Sequence, residues 1–299
     1  MKKVKTATIL KKDIKNELKN KTILITGGAG SVGSELTKKI LDFPIKQVRV
    51  IDVNEHSLFL LGRKLDNHPK LRLLLGNILD KDRLEMACGD VDIIIHLAAV
   101  KNLEVTEFNP IETIDTNING LVNLIKLTRK NKIKKFLNIS TDKAADAVTL
   151  YGSTKLLSEK LTSWAGLHLN PPTKFATARF GNIIESKGNV FEVWENQIKE
   201  NKAISITDSS MNRYFFHIEE AVEFILNCLP LVDQGEIFIP KMKKFNIKEL
   251  ANKYSKKQLI IGPRKGEKLD EILMTKEEEK IAIQNKNMWI IKQPFKKNN

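Results

Sequence analysis

An apolar run, Thr22-Ile23-Leu24-Ile25, leads directly into Thr26-Gly27-Gly28-Ala29-Gly30-Ser31-Val32-Gly33-Ser34-Glu35-Leu36. Glycines at 27, 30 and 33 permit a tight turn, close approach of a pyrophosphate to backbone N–H groups, and close packing of the following helix on the strand. Gly27, Gly30, Ser31, Val32 and Gly33 are therefore candidate cofactor-binding positions. The next apolar run, Gln47-Val48-Arg49-Val50-Ile51, ends in Asp52, some twenty residues after the turn. A carboxylate there accepts hydrogen bonds from the ribose hydroxyls of NAD and repels the extra phosphate of NADP, so NAD is expected, with NADP the alternative.

The alternation continues. Helical patterns at 34–41, 58–65, 81–86 and 111–130 interleave with apolar runs at 71–75, 91–96 and 135–139. Apolar strands alternating with helices imply a parallel sheet covered on both faces. The expected class is α/β: a Rossmann-like doubly wound sheet over residues 21–183, followed by a smaller α/β substrate-binding domain over 184–299, some of whose segments return to the first. Asn77-Ile78 and Ala98-Ala99 follow the third and fourth strands, at the strand ends where such a sheet binds its ligand. Residues 1–20, rich in Lys, read as a basic, solvated arm with room for a short helix at its end.

The fifth strand runs into Ser140-Thr141-Asp142-Lys143, and Tyr151-Gly152-Ser153-Thr154-Lys155 follows. Four residues on a helix bring Tyr151 and Lys155 to one face. A cation beside a phenol lowers its pKa toward the range of a general base, which makes the two a base and its tuner. A Tyr-x-x-x-Lys spacing alone is far more often a surface helix pair; the glycine turn in the same half gives it weight. Asp142 and Lys143, adjacent at a strand end, are expected to point apart rather than to pair.

Composition excludes several classes. The chain carries 50 Lys and Arg against 36 Asp and Glu, a formal charge of +14, but the excess is spread along the chain and aromatics are only 6%, unlike a nucleic-acid surface. A polyanionic small substrate suits the charge equally well. No apolar run approaches the ~20 residues needed to span a bilayer, and no signal core follows the N-terminus, so a cytoplasmic protein without an integral membrane segment is expected. Cys88 and Cys228 read as free thiols, and His56, His68, His168 and His217 show no metal-ligand spacing.

The glycine turn, His96-Leu97-Ala98-Ala99 and the Ser140–Lys155 stretch together resemble the extended short-chain dehydrogenase/reductases. Within that superfamily, Thr-Asp-Lys before Tyr-Gly-x-x-Lys resembles the UDP-N-acetylglucosamine 4,6-dehydratases of polysaccharide and glycan biosynthesis. Arg179-Phe180-Gly181-Asn182, Ile206-Thr207-Asp208, Met211-Asn212-Arg213-Tyr214, Gly235–Lys241 and Arg264-Lys265-Gly266-Glu267-Lys268-Leu269 resemble that family's later landmarks in order, so the likeness spans Lys21 to Leu273. The chain departs from the family pattern at Asn77, Asn102, Glu185 and 146–148. Tyr151 is a trait of the inverting short forms, whereas the N-terminal arm and the Asp52–Leu58 stretch resemble the longer, membrane-anchored ones.

The resemblance implies a mechanism. Tyr151 takes the 4-hydroxyl proton while hydride leaves carbon 4, and Thr141 bonds the same oxygen. Lys143, its pKa lowered by burial and nearby cations, removes the carbon-5 proton; Asp142, kept protonated, donates to the departing 6-hydroxyl; hydride returns to carbon 6. Lys101, Asn182, Arg213, Arg264 and Glu267 are implied contacts to the UDP-sugar, and a homo-oligomer is implied as the assembly. A UDP-sugar 4-epimerase, which needs no elimination pair, and a non-catalytic cofactor-binding protein are the alternatives.

Overall fold

The protein, seen in a computed structural model, is described here over residues 10–169, 171–186, 188–263 and 266–292. Its strands are β1 (Thr22–Thr26), β2 (Gln47–Asp52), β3 (Leu71–Leu75), β4 (Ile93–His96), β5 (Lys135–Thr141), β6 (Lys174–Phe180), β7 (Asn182–Ile183), β8 (Ile204–Ile206), β9 (Asn212–Phe216), β10 (Gln234–Pro240), β11 (Lys243–Asn246), β12 (Gln258–Ile260), β13 (Ile283–Gln284) and β14 (Met288–Ile291). Nine of them form one sheet in the order β13-β14-β10-β6-β5-β4-β1-β2-β3. The pairs from β3 through β10 are parallel, and β14 and β13 close the edge antiparallel. The strand order reverses between β1 and β4, which opens a crevice at their C-terminal ends.

Because parallel strands need crossovers, helices cover both faces. The helices of the first half are α1 (Lys11–Leu18), α2 (Ser31–Leu41), α3 (Glu55–Lys64), α4 (Lys81–Cys88), α5 (Leu103–Phe108), α6 (Pro110–Ile114), α7 (Gly120–Lys130) and α8 (Leu150–His168). On one face, Leu36 and Ile40 of α2 pack with Ile23, Ile25, Leu137 and the helix Ile218–Cys228. On the other, Leu84 of α4, Leu121 and Leu124 of α7 and Ala165 of α8 pack on Leu24, Ile94 and Phe136. A second core, built on Phe191, Trp194, Ile204, Met211 and Phe215, belongs to the smaller lobe, where β11-β9-β7 and β12-β8 form two short sheets.

Two expectations change. The short helix expected at the end of the basic arm is present as α1, but it is not solvated: it packs Leu18 (0% exposed) and Ile14 into the main core, and Glu17 pairs with Lys135 at 2.8 Å. Its apolar residues at i and i+4 make one face, which the Lys count obscured; residues 1–9 lie outside the described residues. The long helix expected over 111–130 contains a π-helical turn at Asp115–Asn119. That turn aims the buried Asn117 at Val100, whose N–H and C=O it bonds at 2.8 and 2.9 Å, and at Thr154 Oγ1 of α8 at 3.0 Å. A π turn thus ties the strand-end loop after β4 to the helix that carries Tyr151.

Candidate active site

The glycine turn is packed to its limit. Gly27 has φ +66°, and a Cβ there would lie 2.7 Å from the Ala98 backbone; a Cβ on Gly33 would lie 2.5 Å from Gly28 Cα. Only glycine lets β1, α2 and the strand-end residue Ala98 come this close. No side chain caps α2, whose N-cap is Gly30. Asp52 Oδ2 accepts from the Ala29 N–H at 3.1 Å and Oδ1 from Asn54 N–H at 3.0 Å, so the carboxylate stands at the turn as the spacing requires. Asn77 Oδ1 accepts from Leu79 N–H in the loop after β3, and Ile78 is buried against Gly120. Behind Ala98, His96 Nδ1 meets Thr26 Oγ1 at 2.7 Å; burial and the Lys155 ammonium push His96 down to about 3, so it is neutral.

The second half of the site is set by β5. Its last residues pair Ser140 with Arg179 and Thr141 with Phe180, after which a 3₁₀ turn, Asp142–Ala144, precedes α8. Thr149 Oγ1 caps α8 by accepting from Gly152 N–H, and the Glu107 carboxylate accepts from Leu150 N–H at 2.8 Å. A Cβ on Gly152 would lie 2.6 Å from the Lys143 carbonyl oxygen, so glycine after Tyr151 is what lets the helix start against the turn.

Here Thr141, Asp142, Lys143 and Tyr151 converge. Asp142 is fully buried; its Oδ1 accepts from Thr141 Oγ1 at 2.9 Å and from Lys143 Nζ at 3.2 Å. The expectation that Asp142 and Lys143 point apart is corrected, because the chain after β5 is a 3₁₀ turn and not extended strand, and the alternation of a strand does not apply to it. Glu271, which the sequence reading missed, lies on the far side of Lys143, its Oε1 3.5 Å from Nζ. Burial and, to a lesser degree, the Arg213 guanidinium work to lower Lys143, but Asp142, Glu271 and Tyr151 outweigh both, so the lysine is raised rather than lowered. Tyr151 is also changed in the opposite sense: burial pushes the phenol up to about 12, against the pull of Lys143 and of a hydrogen bond with Thr141. The cation that acts on the phenol is therefore Lys143. Lys155, 6% exposed, donates to the Ile139 carbonyl at 2.5 Å, and burial lowers it to about 8 despite Glu159. Asp142 Oδ2 and Glu271 Oε2 are buried without a hydrogen-bond partner among the described residues, two carboxylate oxygens held beside one ammonium.

The remaining expected contacts divide. Lys101 and Asn102 are exposed in the loop leading to α5, where Asn102 caps that helix through Val105 N–H. Asn182 Nδ2 donates to Tyr214 O at 3.2 Å. Arg213 donates to the carbonyls of Asn212, Lys268 and Leu269 at 2.7–2.9 Å and meets Glu267 at 3.4 Å; it clamps the loop that carries Glu267 and Glu271. Arg264 lies outside the described residues. Arg179 belongs to the scaffold: fully buried, it forks onto both oxygens of Glu159 and of Glu278.

Residues 23–293 match the family model described as polysaccharide biosynthesis protein. The chain is 41% identical over 293 residues to an uncharacterized membrane protein of Methanocaldococcus jannaschii (93% of this chain, 88% of that one). It is 38% identical to the UDP-N-acetylglucosamine 4,6-dehydratase (inverting) of Campylobacter jejuni (92% and 84%), and 35% identical to a UDP-glucose 4-epimerase of Rickettsia bellii (87% and 79%). Among solved structures, Pen from Bacillus thuringiensis is similar with a TM-score of 0.88 at 35% identity, over 93% of this chain and 89% of that one.

Proposed function

This chain belongs to the polysaccharide biosynthesis protein family, and from that premise we propose that it is an NAD-dependent UDP-N-acetylglucosamine 4,6-dehydratase that inverts carbon 5. The observation that supports this most is the buried set Thr141, Asp142, Lys143 and Tyr151: an acid–base pair stands beside the tyrosine, and only an elimination needs it.

The glycine turn fits NAD. Gly27, Gly30, Ser31, Val32 and Gly33 would hold the pyrophosphate on the uncapped start of α2, Asp52 the adenosine ribose, and Asn77, Ile78, Ala98 and Ala99 the crevice walls. When bound, it supplies the acceptor for hydride from carbon 4 and the donor to carbon 6. Tyr151 takes the 4-hydroxyl proton, with Thr141 aligning that oxygen and the Lys143 ammonium stabilising the phenolate; once Tyr151 is protonated, Nζ passes its proton to Asp142, 3.2 Å away, and becomes the amine that the elimination needs. A ketone at carbon 4 acidifies the carbon-5 proton, which Lys143 removes, while Asp142 delivers a proton to the 6-hydroxyl as it leaves as water. Lys155 orients the tyrosine's helix through Ile139 and keeps a positive charge behind the site. Lys101, Asn182 and Glu267 would meet the UDP-sugar, and Arg213 would hold the loop that does so.

Incubation with UDP-N-acetylglucosamine should yield a product lighter by one water. The likeness to the Rickettsia protein keeps 4-epimerisation as the second reading: unchanged mass with an altered sugar would establish it, and no change would leave a cofactor-binding protein. In heavy water the product should carry deuterium at carbon 5, and its first-formed coupling constants should report the inverted configuration. Among the described residues no helix is long and apolar enough to cross a membrane. A cytoplasmic homo-oligomer is part of the proposal, tested by light scattering and by fractionation of cells.

A further inference from the structure

The loop after β12 is held at both ends. Arg213 grips the Lys268 and Leu269 carbonyls, Asn212 N–H donates to Leu269 O at 3.0 Å, and Arg179 donates to Leu273 O at 3.0 Å. Between these anchors Glu271, 3% exposed, points at Lys143. A cavity of about 10 Å³, lined by Lys143, Thr149, Glu267 and Glu271 among others, opens beside the pair. Burying a carboxylate with one oxygen unbonded is costly, and a scaffold ion pair would use both oxygens, as Glu159 does with Arg179.

We infer that Glu271 is a positioning residue for Lys143, holding its Nζ toward the substrate and stabilising the ammonium formed when Lys143 takes the carbon-5 proton. This rests on the dehydratase reading. The elimination starts from a Lys143 amine and an Asp142 carboxylic acid. The carbon-5 proton moves to Nζ, its electron pair becomes the second bond of a carbon 5–carbon 6 double bond, the carbon 6–oxygen bond breaks, and the Asp142 proton leaves with that oxygen as water. What remains is an ammonium beside a carboxylate, the ion pair seen at 3.2 Å, and one proton passing from Nζ to Asp142 resets it. Glu271 gains no proton; it favours the charged end of the transfer, as the carboxylate behind a catalytic histidine does.

The charged and titratable groups around Lys143 are Asp142, Glu271, Tyr151 and Arg213, with Glu267 and Lys268 lining the same cavity. Removing Glu271 removes one of the groups that raise the lysine, so the proton shared with Asp142 is lost at lower pH. The test follows wild type, Glu271→Gln and Glu271→Asp with bound NAD and UDP-N-acetylglucosamine, reading reduced nicotinamide by absorbance and water loss by mass across pH. Glu271→Gln should still reduce the cofactor and accumulate the reduced form. Its water loss should slow by about 10²-fold or more, the scale of a lost acid–base contribution, with the alkaline limb moved to lower pH, and Glu271→Asp should recover part of both. Wild-type water loss and pH profile in Glu271→Gln would overturn the inference, as would equal loss of reduction and dehydration with no recovery in Glu271→Asp. A wild type that neither reduces cofactor nor releases water overturns the dehydratase reading instead.

Discussion

Arg179→Met removes a cation and leaves its surroundings intact, because methionine keeps most of the stem volume. In the native protein the guanidinium meets Glu159 at 2.6 and 2.9 Å, Glu278 at 2.7 and 2.8 Å, and the Leu273 carbonyl at 3.0 Å, and neither Arg179 nor Glu159 is more than 1% exposed. Glu159 cannot reach water when its partner goes, so the variant should lose the ~3–5 kcal/mol typical of one half of a broken buried pair. Glu278, whose side chain is 20% exposed, can turn outward and adds less. Urea titration should give a loss of about 4 kcal/mol, and melting should fall by roughly 8 °C at ~2 °C per kcal/mol for a chain this long. Adding Glu159→Gln should recover much of it, since the stranded charge is gone. A loss under about 1 kcal/mol, or a double variant no more stable than the single one, would show that the fork is not what joins β6, α8 and the C-terminal segment.

Three further outcomes are expected. Tyr151→Phe should keep the fold by circular dichroism but lose cofactor reduction on mixing with UDP-N-acetylglucosamine by about 10²–10⁴-fold; undiminished reduction would remove the phenol from the first step. Asp52→Ala should narrow the preference for NAD over NADP by about tenfold or more, ~1.4 kcal/mol, in titration calorimetry; an unchanged ratio would dismiss its ribose role. His96 has a folded pKa of about 3, below its unfolded 6.5, so the unfolded chain binds more protons between those values and stability should fall as pH drops from 6.5 toward 3. His96→Asn should flatten that part of the stability–pH curve, and an equally steep decline in the variant would assign it to other groups.

The doubly wound sheet was legible because its signals are local: a glycine turn, a carboxylate at the end of β2, and apolar strands at regular intervals. Strand β3 matches its expected bounds for that reason. The charge states of the site were not legible in the same way. Lys143 was expected to be lowered and Tyr151 to be lowered by Lys155, but the direction at Lys143 depends on pairing with Asp142 and then on Glu271, 128 positions further along the chain, and the direction at Tyr151 on burial that no motif reports. The Arg179 landmark was visible, yet its role was not, since its carboxylates come from α8 and from the segment after Leu273. Gly28, which would drive a Cβ into Val50, escaped notice because the spacing rule counts its neighbours instead. Leu10 to Leu18 read as solvated because two-thirds of this short window is polar while two residues on one face decide its fate.

The closing edge of the large sheet bears on how the chain is made. Strand β10, with Ile237, Phe238 and Ile239 at 0–2% exposure in the finished protein, gains its outer neighbour only when β14 appears. About fifty residues separate their ends, and at ~5–20 residues per second the ribosome needs roughly 3–10 s to supply them. Through that interval an apolar strand presents a free ladder edge to other nascent chains. Slower translation or higher temperature should therefore cost soluble yield before it costs activity per folded molecule, and a chain released between Pro240 and Met288 should be recovered in inclusion bodies.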